Sequence, residues 1–240
     1  MQILLGFFFA IIIAFLAHRA HSLDRSGAVA ATVVGTVIFG VGGLSWAILL
    51  LTFFITSSAL SRAFKQRKAG LNEKFSKGHE RDAGQVFGNG GVATLFAALH
   101  GLYPEAVWPW IGFAAALAAV NADTWATELG VLNPSAPRLL TDLRKPVEKG
   151  TSGGVSLWGT AAALLGAAVI ALPAVLLSGN FSLNLSHFFL ITFAGLAGSL
   201  FDSLLGATTQ AIYYCPTCQK ETERHPLHTC GTPTEQIRGW

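Results

Sequence analysis

A chain of 240 residues that is 52% hydrophobic and only 12% charged, with mean hydropathy +0.51, is too apolar for an ordinary soluble domain. Its net charge of +3 argues for membrane topology and contact with anionic lipid rather than for nucleic acid, which is not expected as a partner.

The hydrophobic runs predict an all-α polytopic membrane bundle of about seven transmembrane helices, over residues 1–17, 27–41, 44–60, 86–100, 108–130, 155–177 and 187–214. Residues 1–214 form the transmembrane domain in this reading, and 215–240 a small Cys/His-rich tail. The first run lacks a basic start and an obvious small-residue cleavage site, so it reads as a retained helix rather than a signal peptide. All 16 Lys and Arg fall in four segments, 18–26, 61–85, 131–154 and 215–240. With the N-terminus outside, the positive-inside rule makes all four cytoplasmic faces of a multi-pass cell-membrane protein. Trp46, Trp108 and Trp110 then sit near the outer interface as an aromatic belt.

The first three helices carry small residues suited to close packing in lipid. The third ends in Thr56, Ser57, Ser58, Ser61 and Arg62, followed by a basic loop with Lys65, Arg67, Lys68, Lys74 and Lys77. Next come Arg81, Asp82, Gln85, Asn89, Gly90 and Gly91. A glycine-flanked asparagine at a helix start presents backbone N–H groups to an anion; the competing use of Asn89 is an interhelical hydrogen bond.

The fifth helix carries the sharpest signal. At 100° per residue, Asp123, Thr127, Thr124, Glu128 and Asn121 share roughly 160° of arc. Carboxyls at membrane depth are costly and mark functional sites. After Pro134 and Pro137, a loop leads through Arg138, Lys145, Glu148 and Lys149 into Gly150, Thr151, Ser152, Gly153 and Gly154. Glycines there let the backbone wrap an anion, hydroxyls donate, and lysines neutralise phosphate charge. The Gly-Lys-Ser/Thr ending of a Walker A loop is absent.

The seventh helix aligns Ser199, Asp202, Ser203, Gly206, Thr209 and Gln210 within roughly 120°. Asp202 lies in the cytoplasmic half of its span, as Asp123 and Glu128 do. The three acids Asp123, Glu128 and Asp202 can meet at one depth, and such hard oxygen ligands suit Mg²⁺; proton relay in an ion-coupled transporter is the competing use. In the tail, Cys215, Cys218, His228 and Cys230 offer four ligands for Zn²⁺, with His225 as an alternative fourth.

The stretches 77–93 (KGHERDAGQVFGNGGVA), 121–130 (NADTWATELG), 145–159 (KPVEKGTSGGVSLWG) and 197–210 (AGSLFDSLLGATTQ), with the Cys/His tail, resemble the phytyl-phosphate kinase family. The order Asp123, Gly130, Lys145, Glu148, Gly150 and Gly153 is more distantly similar to CTP-dependent phytol and dolichol kinases and to CDP-diacylglycerol synthases. In the family the segment around Gly239 and Trp240 leads into an Asn/Asp-containing stretch and a final membrane helix; this sequence ends at Trp240.

The resemblance implies a Mg²⁺-dependent kinase that converts phytyl or geranylgeranyl monophosphate to the diphosphate, using a nucleoside triphosphate (CTP, UTP or ATP). It implies Asp123 and Asp202 on metal and Glu128 as a further ligand or acceptor guide. Lys145, Lys149 and the 150–154 backbone would take the donor phosphates, and Arg81 with Asn89, Gly90 and Gly91 the acceptor phosphate. Prenyl-alcohol kinase or lipid-phosphate nucleotidyltransferase chemistry fits the same residues.

Overall fold

The computed structural model describes residues 1–64, 80–179 and 183–240. Lys65, Arg67, Lys68, Lys74 and Lys77 of the expected basic loop lie outside them. The long apolar runs fold as helices, which satisfy their own backbone groups and so need no water. Among the described residues these are α1 (Gln2–Arg19), α2 (Arg25–Val37), α3 (Leu44–Ala63), α4 (Ala83–Leu102), α5 (Trp108–Gly130), α6 (Leu157–Leu176) and α7 (Leu185–Thr208). A π-helical turn, Ile38–Gly42, prolongs α2. Among the described residues, five helices are long and apolar enough to cross a membrane: α1, α2 with its π-helical turn, α3, α6 and α7. Polar residues set α4 and α5 apart, Gln85 and Asn89 in one and Asn121, Asp123 and Glu128 in the other.

α5 is the central helix and packs against α3, α4, α6 and α7. Its Trp110, Phe113, Leu117, Ala118 and Ala122 form one core with Ala163, Ala167 and Ile170 of α6, Ile191 of α7 and Ala93 of α4. Small residues let the backbones approach, which is how helices gain van der Waals contact where lipid removes the hydrophobic drive. A Cβ on Gly195 of α7 would stand 2.8 Å from the Cβ atoms of both Ala118 and Ala167.

Two of the three belt tryptophans are core residues instead. Trp46 and Trp110 are 4% and 1% exposed, whereas Trp108 is 45% exposed. Trp46 lies 4.5 Å from the Phe113 ring and stacks on His100 at 4.9 Å. Trp110 Nε1 donates to the Ala174 carbonyl at 3.0 Å, so its polar end is satisfied inside the bundle.

Helix ends follow the local chemistry. Asp82 and Gln85 form a reciprocal capping box that starts α4 at Ala83. Asn89, Gly90 and Gly91 are therefore inside the helix rather than at its start. Ser156 caps α6 by accepting from the Gly159 N–H at 3.1 Å. α7 stops at Thr208 rather than running to Tyr214, because residues 212–215 are a strand.

The all-α expectation thus gives way to a mostly helical fold with two small antiparallel sheets among the described residues. The first joins β1 (Arg138–Leu139), β2 (Asp142–Pro146) and β3 (Gly154–Val155) in the order β2-β1-β3. The second joins β4 (Ile212–Cys215), β5 (Lys220–Thr222) and β6 (Glu235–Arg238) in the order β5-β4-β6. It begins three residues before the expected boundary at 215 and leans on the glycine-rich turn, with which it lines a cleft.

Candidate functional site

A pocket with about 1090 Å³ of empty space, part of it open to solvent, lies among α5, α6, α7, the 150–154 turn and the tail sheet. α5 contributes Asp123 and Thr127, and α7 contributes Ser199, Asp202 and Ser203. Lys149, Gly150, Thr151, Ser152, Gly153 and Gly154 form the facing wall. The Ser199 side chain hydrogen-bonds Asp123, and Asp202 lies close enough for the two carboxyls to interact electrostatically.

The turn is shaped before any ligand arrives. Thr151 N–H bonds the Glu148 carbonyl at 3.1 Å, and Gly154 N–H the Thr151 carbonyl at 3.0 Å. Gly153 sits at φ +79, where a Cβ would also fall 2.5 Å from Ala207, so only glycine fits between turn and helix. Lys149 Nζ donates to the Val131 carbonyl at 3.1 Å, which holds its charge at the pocket edge.

The tail reaches in as well. The Ser152 hydroxyl donates to Gln210 Oε1. Gln210 Nε2 donates to Glu223 Oε1 at 2.9 Å, and Arg238 Nη2 reaches the Ser152 carbonyl at 3.4 Å. Burial pushes the Glu223 carboxyl up, with the Gln210 hydrogen bond acting against the rise. Neither Glu223 nor Arg238 carries a signal in the sequence, because only the folding of β4, β5 and β6 returns them to the turn.

Other expected members lie elsewhere. On α5 the polar arc divides between two neighbours. Asn121 Nδ2 donates to the Gly166 carbonyl at 2.7 Å, and its Oδ1 accepts from Thr56 at 3.1 Å. Glu128 accepts from Ser61 at 2.8 Å. Both therefore face away from the pocket, and Thr124 bonds the Val120 carbonyl of its own helix. Lys145 is exposed on β2 and Glu148 is exposed before the turn; neither lines the pocket.

Arg81 is also separate. It donates to Ser58 and Ser57 at 2.9 and 3.2 Å and interacts with Glu128. With Asn89 and Gly90 it lines a different, mainly apolar groove among α1, α2, α3 and α4, with about 860 Å³ of empty space that is partly open to the surroundings. That groove shares no lining residue with the acidic pocket, and Gly91 lines neither.

In the tail, Cys215, Cys218, His228 and Cys230 each present a ligand atom, all within 4.8 Å of one another. Hydrogen bonds with Thr232 and His228 hold the pKa of the Cys230 thiol down to about 6, while that of the Cys218 thiol, hydrogen-bonded to Cys230, is pushed up to about 11. The alternative ligand His225 instead stacks on the Tyr213 ring at 4.5 Å.

Several apolar helices around a carboxylate-lined pocket define this molecule as an integral membrane protein. The chain belongs to the family described as integral membrane protein DUF92, which matches residues 8–240. It is 36% identical to Protein PGR of Arabidopsis thaliana over 231 residues, covering 87% of this chain and 79% of the relative. An uncharacterized membrane protein of Methanocaldococcus jannaschii is 35% identical over 216 residues, 86% of this chain and 84% of its own. Another, from Synechocystis, is 33% identical over 184 residues, covering 75% and 69%. No solved structure matches.

Proposed function

We propose that the protein is a Mg²⁺-dependent kinase that transfers the terminal phosphoryl group of a nucleoside triphosphate to an isoprenyl monophosphate. The observation that carries this reading is one pocket in which Asp123 and Asp202, from different helices, face Lys149 and the glycine-rich turn. A transporter explains the acids but not the lysine and glycine-rich turn opposite them.

The donor set fits Mg²⁺: the Asp123 and Asp202 carboxylates and the Ser199 and Ser203 hydroxyls, with Glu223 a third carboxylate from the tail and no His or Cys among the described lining residues. Bound there, the ion would neutralise charge on the transferred phosphoryl group. Asp123 and Asp202 would hold it, and Ser199 orients Asp123. Lys149 and the backbone of the turn take the donor phosphates. The acceptor monoester already has an ionised oxygen near neutral pH, so no general base is required. That oxygen forms a bond to the γ-phosphorus while the bond to the bridging oxygen breaks and the nucleoside diphosphate leaves.

The prenyl chain lies along the apolar side of α7, where Phe201, Leu204 and Leu205 stand exposed. In this reading α4 and α5 complete seven spans, the N-terminus is outside, and the pocket opens to the cytoplasm. α4 and α5 are 20 and 23 residues long, enough to cross a bilayer core.

The test is incubation of purified protein with Mg²⁺, each nucleoside triphosphate and a panel of prenyl monophosphates and alcohols, with products read by mass. Prenyl diphosphate with nucleoside diphosphate is expected. Pyrophosphate with a nucleotidyl lipid would replace the kinase by a nucleotidyltransferase. Ion-driven uptake into liposomes without nucleotide turnover would replace both by a transporter.

A further inference from the structure

The Cys/His cluster lies outside the acidic pocket and has its own chemistry. β4 supplies Cys215, the β4–β5 connection Cys218, and the loop before β6 His228 and Cys230. Cys215 and Cys230 Sγ are 3.6 Å apart, and His228 Nδ1 is 3.3 Å from Cys230 Sγ. Tetrahedral Zn–S bonds of about 2.3 Å place neighbouring sulfurs about 3.8 Å apart. With all four ligand atoms within 4.8 Å of one another, they are gathered closely enough to share one metal ion. All three cysteines are free, so no disulfide competes for them.

We infer that Cys215, Cys218, His228 and Cys230 form a closed structural Zn²⁺ site that staples the tail sheet against the acidic pocket. Three thiolates and an imidazole select a softer metal than the oxygen-lined pocket does. Four protein ligands leave no open position for water or substrate, which separates this site from catalytic zinc.

The sheet has reason to depend on metal. Its strands are four, three and four residues long, and a sheet so small has little core of its own. Metal binding supplies folding free energy to small domains of this kind. Once stapled, the sheet carries Glu223 into the pocket and Arg238 onto the Ser152 carbonyl. Zinc thereby fixes the wall behind the 150–154 turn, and it does so whether or not the pocket transfers phosphate.

Full-length protein purified in detergent, without chelator or added metal, is expected to carry zinc at about one ion per chain by elemental mass spectrometry, filling one tetrahedral site. Cys218→Ser and Cys230→Ser are expected to lose it while keeping the helical circular dichroism and elution volume of the wild type. Exchange for Co²⁺ should give the wild type the intense visible bands of a tetrahedral thiolate site, absent from both variants. Chelation should open residues 215–240 to protease, and Zn²⁺ should restore protection. Folded wild-type protein without zinc, or zinc retained by both variants, overturns the inference. If Cys218→Ser does not fold, the Co²⁺ spectrum and chelator-dependent protection of the wild type still decide it. These readouts follow metal and protection rather than turnover, so they stand apart from failure of the kinase reading.

Discussion

Gln210 Nε2 donates to Glu223 Oε1 at 2.9 Å, linking the end of the helix that carries Asp202 to the tail sheet. The same side chain accepts from Ser152 in the glycine-rich turn. Gln210→Ala removes both bonds and leaves Glu223 half-buried without its donor. Losing partners at such groups costs on the order of 1–3 kcal/mol. Under the proposed function, the apparent KM for the nucleotide is expected to rise roughly tenfold, with a smaller change in kcat. An unchanged KM would show that the turn does not need the tail.

Asp123 and Asp202 come from different helices and meet only in the fold, so each should be needed separately. Asp123→Asn and Asp202→Asn are each expected to lower Mg²⁺-dependent turnover by roughly a thousandfold, since electrostatic stabilisation dominates phosphoryl transfer. Asp142→Asn, on exposed β2, is the charge-matched control and should stay within about twofold, as surface changes usually do. Full activity in Asp123→Asn, with a folded protein, would remove the metal assignment.

The two lysines of the charged loop were equivalent in the sequence but are not in the fold. Lys149 lines the pocket, whereas Lys145 points out from β2. If Lys149 takes the donor phosphates as proposed, Lys149→Ala is expected to raise the nucleotide KM about tenfold to a hundredfold, the loss of a charge-assisted contact. Lys145→Ala should leave it within about twofold. Equal losses from the two substitutions would return Lys145 to the site.

These differences show what helical periodicity can and cannot read. The 100° step placed Asp123, Thr127, Thr124, Glu128 and Asn121 on one broad arc, but it carries no information about neighbours. α3 takes one end of that arc through Thr56 and Ser61, and the α7 side takes the other through Ser199. One apparent site therefore becomes a structural clamp and a pocket wall. Residues 212–214 (Ile-Tyr-Tyr) looked like the end of a helix because a short apolar run suits strand and helix alike. Pairing with residues 220–222 and 235–238 decides it, and that pairing is not local. Trp46 and Trp110 were misplaced for a similar reason: their packing partners are distant in sequence. The Cys-x-x-Cys and His-x-Cys spacings, by contrast, were legible at once, since hairpins bring residues so spaced together.

The packing of α7 on α5 and α6 can be tested through stability alone. Gly195→Val would drive a side chain into Ala118 and Ala167, whose Cβ atoms already stand 2.8 Å from where a Cβ would be. Overpacking of this kind typically costs about 1–3 kcal/mol. The midpoint of thermal unfolding in detergent should fall by several degrees. A midpoint equal to that of the wild type would mean that α7 can shift outward without loss, contrary to its seating on the core helix.

Glu223 provides a pH test of how the tail docks. Burial raises its pKa, so the folded protein favours the protonated form more than the unfolded chain does. For a carboxyl raised in this sense, the unfolded chain loses its proton first as pH rises. Stability then falls between the unfolded and folded pKa values and stays lowered above them. Glu223→Gln keeps an oxygen that can accept from Gln210 and removes the charge. The variant should resist protease in the tail no better than the wild type at acidic pH. Its advantage should grow as pH rises through the carboxylate range and then level off. Protease resistance of residues 212–240, followed against pH for both proteins, measures this. An advantage confined to acidic pH would mean that Glu223 is docked as a favourable charge, with Arg238 or another cation as its partner.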